Sequence, residues 1–131
     1  MRNFQHSNRP GGFYGLLIGD ALGVPYEFYE AEKLPPYEEI EMLPPAGFRK
    51  TYPKVDAGTW SDDGAQALCL LESLLNQKGF SLEDFSDALL SWYEDGAWAV
   101  GGDVFDVGIQ TAYALRGYKN ELLPEECRMH F

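Results

Sequence analysis

The sequence predicts an all-α fold, and three observations predict it. Apolar residues recur at helical spacing in several segments. No stretch alternates convincingly with the period of two that a half-buried strand shows. Glycines and prolines stand where the helical segments would have to stop. The chain of 131 residues is 45% hydrophobic and 15% aromatic, enough to bury a core and too apolar for a disordered segment. It reads as a single domain over 1–131, or as a piece of a larger one.

After a polar start, Phe13 to Leu22 (FYGLLIGDAL) reads as a short apolar helix with Gly15 and Gly19 four residues apart, a spacing that lets another element approach closely. Gly23 and Pro25 stop it. Residues 28 to 59 form a long connection punctuated by Pro35-Pro36, Pro44-Pro45 and Pro53. It reads either as a functional ordered loop, since long ordered loops are more often functional than idle, or as a poorly ordered surface segment. Ser61-Asp62-Asp63 then opens a helix whose apolar face is Ala65, Ala67, Leu68, Leu70, Leu71, Leu74 and Leu75, ending near Gly79. Ser81 opens another through Leu82, Phe85, Leu89, Leu90 and Trp92 to about Glu94. Glycines 96, 101 and 102 make a turn. A fourth helix is expected from about Val104 to Arg116, with Ile109, Ala112, Tyr113 and Leu115 inward.

Charge narrows the function. Lys and Arg number 10 against 21 Asp and Glu, a formal net charge of −11. Such a chain repels phosphate backbones and anionic membrane surfaces, so direct nucleic-acid binding is not expected. The surplus of carboxylates instead directs attention to a divalent cation. No apolar run approaches the roughly 18 residues of a membrane span, and the N-terminus lacks the apolar core of a secretory signal. Cys69 and Cys127 cannot build a disulfide framework. Cys127, His6 and His130 have no partner spacing for zinc, and Cys69 reads as a core residue. A reducing, cytoplasmic location fits these features.

Ser61-Asp62-Asp63 has two readings. Ser61 is a good helix N-cap, and carboxylates in a first helical turn complement the helix dipole. The other reading, drawn from the loop-rich approach through Gly58-Thr59-Trp60, is that a hydroxyl followed by two carboxylates offers three oxygen donors suited to Mg²⁺, which prefers oxygen and keeps several waters. Glu27 follows Gly23 and Pro25; its plain reading is a solvated loop residue after a helix end with Gly23 left-handed. In the third segment Asp103 suits a cap and Asp106 a surface charge, while Gly108 inside a helix costs about 1 kcal/mol against Ala and asks for a close approach.

Together, in this order, the three segments resemble the ADP-ribosylglycohydrolase family (dinitrogenase reductase-activating glycohydrolases and ADP-ribosylarginine hydrolases). The matching pieces are GxxxGDALGxPxE at Gly15 to Glu27, GxWSDD and its Ala/Leu-rich helix at Gly58 to Leu71, and FDVGxxT at Phe105 to Thr111. The resemblance spans about Phe13 to Glu126. It implies an all-α fold with a binuclear Mg²⁺ (or Mn²⁺) centre at the base of an ADP-ribose cleft. Carried over, Ser61, Asp62 and Asp63 match a metal-ligand triplet, Glu27 the acidic residue implicated in catalysis, and Asp106 and Gly108 the segment beside the substrate's distal ribose. The implied reaction is hydrolysis of the bond between ADP-ribose and an acceptor, a protein side chain or small molecule.

Two departures from the family pattern bear on that expectation. Gly64 stands where the family usually has Thr, which removes a hydroxyl and weakens a helix start. The family's second Asp-rich metal motif and its glycine-rich loop are absent from these residues, so the chain reads as an N-terminal portion with an incomplete metal site. It is expected to be weak or inactive alone and to expose helix faces open to self-association. The alternative is a non-catalytic ADP-ribose-binding or structural member, since the family contains crystallin-like relatives that have lost catalysis.

Overall fold

The computed structural model describes residues 9–120. Cys127, His6 and His130, and the end of the family resemblance at Glu126, lie outside them. Among the described residues there are four α-helices and no strand: α1 (Arg9–Gly23), α2 (Asp62–Gln77), α3 (Leu82–Asp95) and α4 (Ile109–Lys119). None is long and apolar enough to cross a membrane. The chain divides into two compact units, residues 1–64 and 65–131.

In the first unit α1 ends differently from the expectation. Gly23 is right-handed, with φ −71° and ψ −38°, and the chain tightens into a 3₁₀ turn over Val24–Tyr26. Pro25 within that turn has no N–H to continue the α-helical ladder. Ala21, Val24 and Tyr26 are core residues of the unit. The long connection has only isolated 3₁₀ turns at Ala31–Lys33 and Tyr37–Glu39. Side chains order it instead. The Phe48 ring packs against Tyr26 and Tyr29 with centroids 5.1 and 4.9 Å away. Tyr26 Oη donates to Glu41 O at 2.7 Å, and Tyr29 Oη to Arg49 O at 2.7 Å.

In the second unit, α2 buries small residues along one stripe. Ala65, Cys69 and Ser73, each four apart, are 0%, 0% and 1% exposed. Leu74 and Leu75, expected inward, are exposed, because the helix turns its small stripe to the core and its terminal leucines flank it. Ser81 caps α3 by accepting from Asp84 N at 3.3 Å. Gly96 closes α3 in the left-handed conformation at φ 74°, and a Cβ there would stand 2.2 Å from Gly102 O. Trp92 is the largest fully buried side chain.

The fourth helix is shifted from its expected span. It starts at Ile109 rather than Val104, because Asp106 is left-handed at φ 56° and residues 103–108 are not helical. The buried positions are Leu115 and Gly117, while Ile109 and Tyr113 are exposed. Arg116 donates to Tyr93 Oη at 3.1 Å and Tyr118 to Asp87 at 2.7 Å, and Lys119 pairs with Glu94; all three tie α4 to α3.

Cys69 is a core residue, as expected. Burial, with the Glu72 charge second, lifts its thiol from 9.0 to about 11. The raised value favours the neutral thiol in the fold, so this contribution to stability is whole below pH 9 and lost as pH climbs toward 11. In a Cys127→Ser background, iodoacetamide at pH 8.5 should modify the folded chain about 100-fold more slowly than the urea-unfolded chain. Equal rates would show an open thiol.

Candidate functional site

The site is built at the start of α2, and the residue that builds it is Asp20 of α1. Ser61 N–H and Gly64 N–H donate to Asp20 Oδ2 at 2.9 and 2.7 Å. Ser61 Oγ–H donates to Asp20 Oδ1 at 2.7 Å. A helix start leaves four N–H groups without intrahelical partners, and here a carboxylate more than forty positions earlier in the chain takes two donors at that start. In one of its two sequence readings Ser61 caps α2 with its own side chain. It is instead a buried residue, 5% exposed, whose hydroxyl proton is committed to Asp20.

Gly64 explains how Asp20 fits. A Cβ at Gly64 would lie 2.8 Å from Asp20 Oδ2 and 2.8 Å from Cβ and Cγ of Trp60. The glycine that looked like a weak helix start is therefore the space in which the carboxylate sits.

Glu27 is not on a solvated loop. It is half-buried, and its Oε2 is a buried atom. The backbone on both sides is pinned by one residue of the long connection. Thr51 N–H donates to Pro25 O at 3.0 Å and Thr51 Oγ to Glu27 O at 2.5 Å. The next residue, Phe28, is left-handed at φ 62°, an uncommon conformation for a bulky side chain. Leu16, Gly19, Asp20, Gly23, Glu27 and Asp63 together line a cleft of about 500 Å³ within the first unit. Gly19 and Gly23 keep one side of the cleft free of side chains.

Two of the expected donors stand at a spacing that an octahedral Mg²⁺ shell could use. Ser61 Oγ and Asp62 Oδ1 are 3.4 Å apart, and neighbouring ligands of an octahedron with bonds near 2.1 Å stand about 3 Å apart. Because the hydroxyl gives its proton to Asp20, its lone pairs remain for a cation. Among the described residues, no group of three or more His, Cys, Asp or Glu side chains is placed to hold a metal ion. The donors brought together here are the Ser61 hydroxyl and the Asp62 carboxylate.

Of the other expected residues, Asp106 and Gly108 belong to the second unit. Asp106 is half-buried in the left-handed turn before α4. Gly108 is not inside the helix but at its N-cap position, with its carbonyl accepting from Ala112 N–H at 3.0 Å. The residue that sequence reasoning missed is Asp20. Its signal was present in the Gly19-Asp20-Ala21-Leu22-Gly23 string, where a carboxylate sits between small residues inside an otherwise apolar helix.

The first unit thus presents a cleft lined by Asp20, Glu27 and Asp63 at the start of α2. The comparison with known proteins assigns the family. The sequence profile of the ADP-ribosylglycohydrolase family matches residues 3–129, and the chain belongs to that family. It is 36% identical over 112 residues to "ADP-ribosylarginine hydrolase Tri1" of Pseudomonas putida (strain GB-1), covering 85% of this chain and 28% of that protein. The protein of the same name from Serratia proteamaculans (strain 568) is 35% identical over 108 residues, 82% of this chain and 27% of its own length. An uncharacterized protein of Archaeoglobus fulgidus is 36% identical over 80 residues, covering 60% of this chain and 25% of its own. The chain spans little more than a quarter of the two hydrolases it resembles. No solved structure matches significantly.

Gly64→Ala tests the close approach of Asp20. In an ordinary helix interior this change stabilises by about 1 kcal/mol. Here it should destabilise the chain by about 1–3 kcal/mol in urea unfolding, because the added Cβ displaces Asp20 or Trp60. A stabilised variant would show that the pocket at Gly64 is roomier than the structure has it.

Proposed function

We propose that this chain supplies one part of the active site of a Mg²⁺-dependent (or Mn²⁺-dependent) ADP-ribosylglycohydrolase that cleaves the bond between ADP-ribose and an acceptor. The observation that carries the reading is Glu27 facing the same cleft as Asp20 and Asp63, beside the oriented Ser61 and Asp62. The two hydrolases named for ADP-ribosylarginine favour a guanidinium acceptor.

Ser61, Asp62 and Asp63 would hold the cation, and when bound it supplies charge neutralisation and orientation of ribose hydroxyls and water. The remaining roles belong to the chain's own groups. Glu27 takes a proton from the attacking water or holds a substrate hydroxyl, from a backbone that Thr51 keeps in place. The family resemblance gives Asp106 and Gly108, in the second unit, a role at the distal ribose. The reduced, buried Cys69 fits a cytoplasmic setting. The exposed Leu75, Phe80 and Leu82 are the surface through which copies of the chain would associate. Three oxygen ligands leave an octahedral shell half filled, so the chain alone should bind Mg²⁺ weakly and hydrolyse slowly or not at all.

A calorimetric Mg²⁺ titration with and without ADP-ribose, beside an Asp62→Ala/Asp63→Ala control, tests the cation reading. Weak binding that disappears in the control is the expected result. ADP-ribose released from ADP-ribosylarginine, followed by chromatography, tests the chemistry. Any release should fall about 100-fold or more in Glu27→Gln with Mg²⁺ binding retained. ADP-ribose binding without release would favour the non-catalytic reading, and release unaffected by Glu27→Gln would remove Glu27 from the chemistry.

A further inference from the structure

We infer that Asp20 is the positioning residue of the cation site, turning the Ser61 hydroxyl so that its lone pairs face the cation. The inference rests on the proposed role of Ser61, Asp62 and Asp63. It gives Asp20, whose carboxylate oxygens are taken by Ser61 and Gly64, a role that acts through Ser61.

The two oxygens of Asp20 have separate tasks. Oδ2 takes the N–H groups of Ser61 and Gly64, which fixes where α2 begins. Oδ1 takes the Ser61 hydroxyl proton at 2.7 Å, far shorter than the 3.4 Å to Asp62 Oδ1. A hydroxyl has one proton and two lone pairs. With the proton held by a carboxylate, both lone pairs point elsewhere, and the anionic acceptor makes the hydroxyl oxygen a stronger donor to a cation. Groups that orient metal ligands in this way commonly change metal affinity by about 10- to 100-fold when replaced.

The division of labour makes Asp20→Asn diagnostic. The amide oxygen can still accept both backbone N–H groups, so the start of α2 survives. The amide NH₂ now stands at the Oδ1 position and donates to Ser61 Oγ. One lone pair is consumed, and the hydroxyl proton is turned outward beside the other.

Titration of the chain with Mg²⁺ and Mn²⁺, alongside thermal unfolding and amide hydrogen exchange at Ser61 and Gly64, reads the three consequences. Asp20→Asn should keep the two protected amides and lower the unfolding midpoint less than Asp20→Ala does, while cation affinity falls about 10- to 100-fold. Asp20→Ala should lose the amide protection as well. Losing a negative charge weakens cation binding by itself, so the decisive comparison is in a Ser61→Ala background, where Asp20→Asn should cost little more. An equal loss with and without the Ser61 hydroxyl would overturn the inference and leave the cation reading standing. A wild-type chain without affinity at millimolar Mg²⁺ would remove the cation reading and this inference with it.

Discussion

One carboxylate holds the start of α2, and the arrangement of the candidate site depends on it. Helix N-termini are usually capped by the residue at their own boundary, which involves almost no loop closure. Asp20 reaches Ser61 across 41 positions. Closing a flexible loop of that length costs about 3 kcal/mol beyond a constant. Hydrogen bonds to a charged group contribute about 1.5–3 kcal/mol each, so three of them at the lower value, which allows for the partial exposure of Asp20, offset the closure. The cap therefore does more than finish a helix. It decides where Ser61, Asp62 and Asp63 stand relative to α1 and to Glu27.

The long connection between α1 and α2 contributes its own share of rigidity without secondary structure. Its backbone groups are taken up by side chains and by short turns, with tyrosine hydroxyls reaching carbonyls 15 and 20 residues away. Thr51 is the residue through which this order reaches Glu27, because it clasps the peptide groups on both sides of Tyr26 and Glu27. In the proposed reading Glu27 handles a proton, and a carboxylate with that task needs a fixed position first. Glu27 obtains that position from a loop tied at several points along its length, the last being the Asp20 cap.

The all-α class was legible because helical spacing is a local property of the sequence, and α2 and α3 could be placed nearly to the residue from Ser61, Gly79, Ser81 and Gly96. The direction in which helices face was less legible. Leu74, Leu75, Ile109 and Tyr113 belong to apolar patterns yet are exposed, while α2 turns the smaller Ala65, Cys69 and Ser73 to the core. Hydropathy ranks side chains by size as well as by apolarity, so a stripe of small residues that permits close packing scores below the leucines beside it. The start of α4 was misplaced because the left-handed turn at Asp106 has no glycine to announce it. In the candidate site, Ser61, Asp62, Asp63 and Glu27 stand out in the sequence as residue types in a family pattern. The role of Asp20 does not, since a bond between residues 20 and 61 exists only once the chain has folded.

The charge of the chain gives the same site a further constraint. Asp20, Glu27 and Asp63 crowd one cleft in a chain whose net charge is −11, and the proposed substrate, ADP-ribose, would bring a diphosphate of its own. Asp20 is compensated by two helix N–H groups and a hydroxyl, an arrangement that also places the positive end of the α2 dipole against it. Asp63 lies in the first turn of α2, where that same end favours a negative charge. A helix terminus amounts to about half an elementary charge, which is too little to balance the cleft carboxylates and an incoming diphosphate together. In the proposed reading the cation supplies the difference, and an acidic cleft becomes a site for an anionic substrate only with it bound. Substrate affinity and cation affinity would then be coupled through Ser61, Asp62 and Asp63, with Asp20 setting how strongly the first of them contributes.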